Sequence, residues 1–417
     1  MNSFEVIQQQ LPDQQPEKFC VAPFLSTMQT TYGKTSPCAY GVTEWQLGEL
    51  TPKERWQAPQ LNEFRSTFAQ GQVPSQCIKC INEEQSNKDS LRLRMLSWYP
   101  NSYNDFVKSG QWQSGPKHVS TKVSNICNLS CRTCGGWDSN SFAEEGKNYI
   151  EQYHTELWSA KTNAMTLHNK FVPLLPPKNT DYEKFNDVDS NITKLEFFGG
   201  EPLLNLTHLK FLEHLVDTGK SKNITLFYST NCTQKINPRH YNVWSKFHAL
   251  EFSLSIDHIE DKFHYIRWPG NWDEVNTNVK DIVNLKHQLS LPVSHVMSPC
   301  CSLLNVMDID EVLDWGREHV GSVYINMIAS PDWLTINCAP DDVKQAIVNK
   351  IKTPEVLGFI GLKPHNPLHW KQFLIWTKRQ DLFRNQDFTK VFPEFYNLIK
   401  PHWDSVTDLS ESNYYNL

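Results

Sequence analysis

The sequence predicts an α/β fold in which short strands alternate with helices. From about residue 117, runs rich in β-branched and aromatic residues alternate with segments of helical pattern, the order typical of βα units built around a parallel sheet. The chain has 417 residues, of which 39% are hydrophobic and 12% aromatic. This is enough for a substantial core, arranged as one large domain or as two to three ordinary ones.

Six strands are predicted in this region, at 118–124, 192–198, 224–229, 250–256, 293–297 and 323–328. Six helices are predicted between and after them, at 141–161, 207–218, 238–247, 272–287, 308–319 and 340–351. The last helix has a good start, because Pro340, Asp341 and Asp342 place a proline and acids in its first turn. An extra loop runs from the first helix to residue 191, and the aromatic-rich chain after about Thr353 is expected to be a helical extension without chemistry of its own.

Charge and terminal composition narrow the classes of function. The net charge is −6 and the pI is about 6.2, so nucleic acid is an unlikely partner. The first residues lack the basic and apolar regions of a signal peptide, and no stretch approaches the length of a membrane span, so we expect a cytoplasmic protein with no membrane association. In a reducing compartment, 11 cysteines indicate metal binding or catalysis before disulfides.

Three of these cysteines, Cys127, Cys131 and Cys134, lie in one short loop after the first predicted strand. A chance match to this spacing is expected only roughly 0.01 times in such a chain. Thiolates suit iron–sulfur clusters and zinc, and a structural metal site normally has four ligands. Three ligands therefore indicate a metal with an open position. Buried structural thiols, or a zinc site completed by a distant cysteine, are the alternatives.

Other polar motifs follow the later strands. Gly199, Gly200, Glu201 and Pro202 follow the second strand, and the remaining candidates are Asn231, Ser255, Asp257 and the pair Cys300 and Cys301. Chemistry in parallel barrels is concentrated at the carboxyl ends of the strands, so we expect these residues to gather near the three cysteines. Two glycines allow backbone to approach a ligand closely, and the acid complements a cation, although such a tetrapeptide alone is usually a turn.

The spacing Cys-x3-Cys-x2-Cys resembles the signature of the radical S-adenosylmethionine enzymes. The resemblance implies that Cys127, Cys131 and Cys134 hold three irons of a four-iron four-sulfur cluster, whose fourth iron chelates the amino and carboxylate groups of S-adenosylmethionine. It also implies an open, partial (β/α)6 barrel. The run 199–202 resembles the family's second motif, whose backbone and glutamate receive the ammonium group of the cofactor. Arg267 resembles an arginine that holds the cofactor carboxylate or the local loop, with a surface ion pair as the alternative.

The polar residues of the third and fourth strands are candidate partners for the ribose. Alternation places Ser253, Ser255 and Asp257 on one face of the fourth strand, and a polar face inside a barrel is costly unless something binds there. A capping or turn role is the alternative for these residues and for Asn231. Many family members carry an aromatic residue where this chain has Thr133, so adenine contact is expected from the backbone and from neighbours such as Phe198 or Trp137.

A second set of cysteines, Cys20, Cys38, Cys77 and Cys80, precedes the barrel. Four thiolates can close a metal site, and their spacing fits a second four-iron four-sulfur cluster, zinc, or unliganded structural cysteines. The set resembles the auxiliary-cluster domain called twitch, or its larger relative SPASM, which usually follows the barrel. We therefore predict a twitch-like domain at 1–110, a core at 111–352 and a helical extension at 353–417. Four ligands leave no iron open, which favours an electron-relay or structural role.

The family resemblance implies reductive cleavage of S-adenosylmethionine to a 5′-deoxyadenosyl radical, which removes hydrogen from a substrate. A peptide or protein side chain is the preferred substrate, with a small sugar or nucleoside as the alternative and flavodoxin or ferredoxin as electron donor. A hypothesis of another class is a non-catalytic iron–sulfur or zinc protein that binds a partner. Four further cysteines could return hydrogen to a substrate radical or be buried apolar side chains: Cys232, Cys300, Cys301 and Cys338.

Overall fold

The computed structural model describes residues 18–40, 43, 45–85, 90–104, 109–153, 158–159, 164–167, 170–173, 177–183, 185 and 191–409. No helix within these residues is both long enough and apolar enough to cross a membrane.

An eight-stranded sheet forms the centre of the mixed α/β fold. Its strands are β1 (Ser26–Gln29), β2 (Lys34–Ser36), β3 (Trp45–Gln46), β4 (His118–Lys122), β8 (Lys194–Phe198), β9 (Thr225–Thr230), β10 (Ala249–Leu254) and β11 (Val293–Met297). The strand order is β11-β10-β9-β8-β4-β1-β2-β3, and the five strands from β4 to β11 pair in parallel. The first five predicted strands are confirmed, with ends that differ by up to two residues.

The sixth predicted strand, at 323–328, is shorter than expected. It is reduced to β13 (Asn326–Met327), which pairs in parallel with β12 (Cys300–Cys301). Val323 also forms an isolated parallel bridge with Met297 at the end of β11. Pro299 lies between the two pairings and has no N–H to donate to a ladder, although its carbonyl accepts from Asn326 N at 2.8 Å. The segment at 323–328 therefore pairs with β11 and the residues that follow it, but this pairing is interrupted at Pro299.

The N-terminal segment joins the same sheet. β1 pairs in parallel with β4, from Ser26 opposite His118 to Gln29 opposite Thr121, and β2 and β3 continue antiparallel from β1. In the described part of this segment, helices span Ala22–Leu25, Pro52–Trp56, Pro59–Ala69, Ile78–Gln85 and Leu91–Trp98. The sheet thus extends across residue 110, where the sequence predicts a domain boundary.

The predicted helix at 141–161 and the loop after it require correction. The helix spans Asn140–Tyr153, and Trp158–Ser159 (β5) is already a strand. β5, β6 (Ala164–Leu167) and β7 (Lys170–Pro173) form a separate antiparallel sheet, where the sequence predicts the end of a helix and an extra loop. Trp, Thr, Phe and Val in these strands have high β propensity.

The remaining predicted helices are confirmed. They span Thr207–Asp217, Pro238–Trp244, Trp272–Gln288, Ile309–His319 and Asp341–Lys350, with a short helix at Glu260–Ile266. They bury Leu212, Trp244 and Leu285 against one face of the sheet. The extension is helical as predicted, at Pro354–Phe359, Pro367–Arg384, Phe388–Val391 and Pro393–Ser405. It packs through a hydrophobic cluster that includes Phe373 and Phe388 and that it shares with earlier residues such as Leu334 and Ile347.

Candidate active site

The three-cysteine loop follows β4 directly. Cys127 and Cys131 are buried and Cys134 is half-buried, and Leu129 packs among them. The backbone N–H of Cys127 donates to Asn140 Oδ1 at 2.8 Å, so the start of the following helix holds the first cysteine in place. Burial raises the pKa of the Cys127 thiol to about 12. A bound metal ion would reverse this, because coordination deprotonates a thiol.

Two distant segments hold the cysteine loop from outside. Ser130 N donates to Trp268 O at 2.6 Å, and its carbonyl accepts from Arg384 Nη2 at 2.6 Å. Arg132, between the second and third cysteines, is fully buried and donates to Asp381 Oδ1 at 2.6 Å. The C-terminal extension, to which the sequence assigns no chemistry, therefore fixes the loop with buried charges.

The two glycines at the end of β8 lie against the cysteine loop. Gly200 has φ of +58°, and a Cβ at this position would be 2.4 Å from the carbonyl oxygen of Ile126 and 2.9 Å from that of Ser124. Gly199 has φ of +70°, and its Cβ would be 2.6 Å from the side chain of Lys122. Both positions thus require glycine, for conformation and for space.

Glu201 is buried beneath this turn, next to the equally buried Pro202. Its carboxylate accepts from Leu203 N at 2.9 Å, Thr230 Oγ1 at 2.8 Å and Asn231 N at 2.7 Å. Burial raises its pKa to about 7, against these hydrogen bonds. Glu201 thereby joins the loops after β8 and β9, and its expected contact with the cofactor ammonium stays a prediction.

The remaining predicted residues reach the cysteines from β9 and β10. Asn231 Nδ2 lies 3.7 Å from Cys127 Sγ. Arg267 Nε forms a buried ion pair with Asp257 Oδ2 at 2.9 Å, and its Nη1 lies 4.0 Å from Cys131 Sγ. The alternative of a surface ion pair for Arg267 is therefore wrong.

These residues surround a cavity of about 740 Å³, here called the cofactor cavity. The lining includes all three cysteines, the two glycines, and the side chains of Asn231, Ser255 and Arg267. Thr133, Trp137 and Phe198 are also in the wall, so both aromatic candidates for adenine contact are present. Cys300 lines the cavity, whereas Cys232 and Cys338 are buried in apolar clusters. The volume is typical of a small-molecule site.

The second cysteine set also surrounds a cavity. Cys20, Cys38, Cys77 and Cys80 line it together with Arg92 and apolar side chains. Arg92 is fixed by Glu84, at 2.9 and 2.6 Å, and by the carbonyl of Phe19 at 2.9 Å. Burial raises the pKa values of the Cys20, Cys77 and Cys80 thiols, and the charge of Arg92 partly opposes this at Cys80.

The arrangement of the thiols in the two cysteine sets can be compared with the coordination geometry of a single metal ion. A structural zinc ion binds four ligands within about 2.3 Å of one point. Among the described residues, no group of three or more His, Cys, Asp or Glu side chains is placed to hold a metal ion in this way. The first set lines a cavity of about 740 Å³, whereas the cavity between the thiols of the second set is only about 20 Å³. The choice between an iron–sulfur cluster and zinc at the second set stays a prediction.

Sequence reasoning missed several residues at the site. Tyr40 and Met28 of the N-terminal segment line the cofactor cavity, as does Trp376 of the extension. Tyr40 is two positions from Cys38, which is the signal that could have identified it. Nothing in the local pattern distinguishes Met28, Trp376, or the buried residues Asp381 and Arg384, which pair with Arg132 and Glu145.

The comparisons with known proteins give distant matches. No protein-family model and no curated protein matches the chain. Among solved structures, the crystal structure of Streptococcus suis SuiB matches at 14% identity and a TM-score of 0.34, over 60% of this chain and 50% of that one. SuiB bound to precursor peptide SuiA matches at 14% identity and a TM-score of 0.32, over 74% and 58%. Native anSMEcpe with bound AdoMet matches at 14% identity and a TM-score of 0.33, over 64% and 62%.

The chain spans between half and about three fifths of the length of these structures. Similarity this distant does not by itself establish what the chain binds or catalyses. The resemblance to the radical S-adenosylmethionine enzymes therefore rests on the cysteine loop and on the residues that the fold brings beside it, and the structural matches add no argument to it.

Proposed function

We propose that this protein is a radical S-adenosylmethionine enzyme that cleaves its cofactor reductively and removes hydrogen from a peptide or protein side chain. The observation that carries the proposal is the cofactor cavity, where three thiols from one loop meet the backbone of Gly199 and Gly200 and the side chain of Arg267. Three thiols leave a coordination position open, and the cavity has room beside them for a cofactor-sized ligand.

Each part of the chain has a separate task in this proposal. Cys127, Cys131 and Cys134 hold a four-iron four-sulfur cluster, which when bound supplies the electron that breaks the C5′–S bond of S-adenosylmethionine. The glycine turn and Glu201 receive the ammonium end. Arg267 offers its charge to the carboxylate end, with Asp257 fixing its orientation. These contacts hold the cofactor still and exclude water, which is how a protein contributes to cofactor chemistry.

Polar residues and aromatic side chains form the rest of the cofactor site. Asn231 and Ser255 line the cofactor cavity and can donate to ribose oxygens, and Trp137 and Phe198 offer flat faces for adenine. Trp137 is itself held in place by the ring of Tyr32 at 5.5 Å and by Lys34 Nζ at 4.6 Å. The N-terminal segment therefore supports this part of the cavity wall.

We also propose the finer architecture that the resemblance implies. The six parallel strands in chain order would form a partial (β/α)6 barrel, with a twitch-like segment at 1–110, the core at 111–352 and the extension at 353–417. Cys20, Cys38, Cys77 and Cys80 would hold a second four-iron four-sulfur cluster as an electron relay. The proposal includes a cytoplasmic location, and a flavodoxin or ferredoxin donor follows from the same resemblance.

The test is cofactor cleavage by protein reconstituted anaerobically with iron and sulfide and then reduced with dithionite. We expect 5′-deoxyadenosine from the wild type and none from a variant in which Cys127, Cys131 and Cys134 are alanine, with a loss of roughly four irons. Cys338→Ala is the matched control, because Cys338 is buried outside both sets. Equal product from the triple variant would refute the proposal, and a wild type that binds iron without forming product would favour the non-catalytic hypothesis.

A further inference from the structure

A second cavity of about 680 Å³, here called the inner cavity, adjoins the cofactor cavity. The two share Ala39, Tyr40, Phe198 and Ser229 in their walls. The inner cavity is lined on one side by the sheet strands β8 to β11 and on the other by the N-terminal segment and the chain around Tyr324. A group that enters from the cofactor side would pass Phe198 and Ser229.

One row of the sheet gives this cavity its chemistry. Strand register places Glu196 opposite Phe227, Phe227 opposite Glu251, and Glu251 opposite Ser294. The acids Glu196 and Glu251 thus lie two strands apart, at a distance of about 10 Å. Their row lies two residues before the level of Phe198, so it is about 7 Å from the wall that the two cavities share. The interior of a parallel barrel is ordinarily filled with branched apolar side chains. Acids in this row are therefore unusual for a packed core.

Each of the two carboxylates has one oxygen engaged. Glu196 Oε2 lies 3.2 Å from His118 Nε2 and accepts from the hydroxyl of Ser120. Glu251 Oε2 accepts from Lys194 Nζ at 2.6 Å. Within the described part of the chain, the Oε1 atoms of Glu196 and Glu251 accept no hydrogen bond. Both acids line the cavity, so these oxygens are available to a ligand.

The basic side chain that lines the inner cavity is already engaged. Arg94 Nη2 donates to the hydroxyl of Tyr40 at 3.2 Å, and its guanidinium lies 4.2 Å from the ring centroid of Tyr324. The Tyr40 hydroxyl in turn donates to Glu83 Oε2 at 2.9 Å. His295 also lines the cavity, and burial lowers its pKa, which favours the neutral ring. Lys194 Nζ, which pairs with Glu251, lies 5.4 Å from the ring centroid of Phe227 and offsets one of the two negative charges, but Lys194 is not among the residues that line the cavity. The charged atoms of the sheet that stay open to the cavity are therefore the two Oε1 atoms.

We propose that the inner cavity binds a positively charged amine or guanidinium of the substrate, held between the open oxygens of Glu196 and Glu251. The substrate is then a peptide whose lysine or arginine side chain enters the inner cavity, and the aliphatic stem of that side chain lies along Phe198 and Phe227. This inference rests on the proposed function, because it treats the inner cavity as the place where substrate meets the cofactor. An amino sugar carries the same kind of cationic group on a smaller molecule.

The test measures binding of simple probes to the reconstituted protein with S-adenosylmethionine, by isothermal titration calorimetry. The cationic probes are Nα-acetyl-lysine amide and glucosamine, and their neutral partners are Nα-acetyl-norleucine amide and glucose. We expect the lysine probe to bind about tenfold more tightly than the norleucine probe, since hydrogen bonds between charged partners are the strong ones. Preference for glucosamine over glucose without preference for the lysine probe would support the cationic site and assign it to an amino sugar.

Variants identify the acids responsible. Glu196→Gln with Glu251→Gln should abolish the preference for either cationic probe, whereas Ser294→Ala, in the same row, should retain it. Glu251→Gln alone is the variant least disturbing to the fold, because the Glu251 side chain is 32% exposed, and it should lose part of the preference. Equal binding of cationic and neutral probes by the wild type, or a full preference in the folded double variant, would overturn the inference.

The outcome separates this inference from the proposed function. Formation of 5′-deoxyadenosine without any preference for cations would leave the proposed function standing and refute the cationic site. Preference for cations without cofactor cleavage would support the site and refute the radical chemistry.

Discussion

Arg132 and Asp381 form a buried ion pair of 2.6 Å between residues 249 positions apart in the chain. Arg132 lies between the second and third cysteines of the loop, and its guanidinium is 3.8 Å from the ring centroid of Tyr265. Asp381 also accepts from the hydroxyl of Tyr265 at 2.6 Å and from Phe388 N at 2.6 Å. The C-terminal extension is therefore part of the support for the cysteine loop.

Removal of the Asp381 charge should lower the stability of the fold and weaken the support of the cysteine loop. We expect Asp381→Asn to lower the free energy of unfolding by about 3–5 kcal/mol, the usual cost of leaving a buried partner unpaired, and to reduce iron content after reconstitution. Urea denaturation and iron analysis measure these effects. The matched control is Asp404→Asn, whose partner Lys400 is 53% exposed, and it should cost less than about 1 kcal/mol. Equal effects of the two substitutions would contradict this prediction.

Gly200→Ala should disturb the site by more than the cost of placing alanine at a positive φ. The new Cβ would be 2.4 Å from Ile126 O, so the glycine turn and the cysteine loop would be pushed apart. Gly219→Ala provides the comparison, because Gly219 also has positive φ, +73°, but nothing lies within 4 Å of the added Cβ. We expect a loss of about 1 kcal/mol at Gly219, and a larger loss at Gly200 together with at least tenfold weaker binding of S-adenosylmethionine. Similar calorimetric affinities for both variants would refute the steric explanation.

His240 should make the fold sensitive to acid. It is fully buried, neither ring nitrogen has a hydrogen-bond partner within the described chain, and burial followed by the charge of Arg239 lowers its pKa to about 4. Because the folded-state pKa lies below the unfolded value of about 6.5, the neutral ring contributes stability above pH 6.5, and this contribution is lost as the pH falls towards 4.

We therefore expect His240→Phe to be as stable as the wild type at pH 7.5 and more stable at pH 4.5, by up to about 3 kcal/mol for a shift of this size. Urea denaturation at the two pH values measures the difference. His248→Phe is the control, because His248 is exposed, and it should change neither value. A constant difference between His240→Phe and the wild type across this pH range would show that His240 does not titrate on unfolding.

The second cysteine set should bind iron independently of the first. We expect Cys80→Ala to lose roughly four irons while the protein still cleaves S-adenosylmethionine, since these cysteines line a separate cavity. Iron and zinc are counted by plasma emission spectroscopy, with Cys338→Ala as the control. Loss of one zinc ion in place of iron would favour the zinc alternative, and unchanged metal content would leave the four thiols as structural side chains.

Local patterns in the sequence predicted the order of strands and helices and the two motifs at their ends. Alternation, helical periodicity and turn residues act over a few positions, so the strands β4, β8, β9, β10 and β11 and the confirmed helices could be identified. The short cysteine loop and the glycine turn at 199–202 were also visible, because each is a continuous segment. The sixth strand is shorter than predicted because of a residue outside it. Pro299 has no N–H to donate to the ladder with residues 323–328, and no pattern within 323–328 reveals this.

Contacts between distant segments could be decided only by the tertiary structure. The pairing of β1 with β4, the Arg132–Asp381 ion pair and the meeting of Glu196 with Glu251 in one row each depend on which segments pack together. The sequence by itself determined which residues are candidates for chemistry and the end of each strand at which they lie. The tertiary structure decided which of them share a cavity, because burial and register are properties of the assembled sheet and not of any one strand.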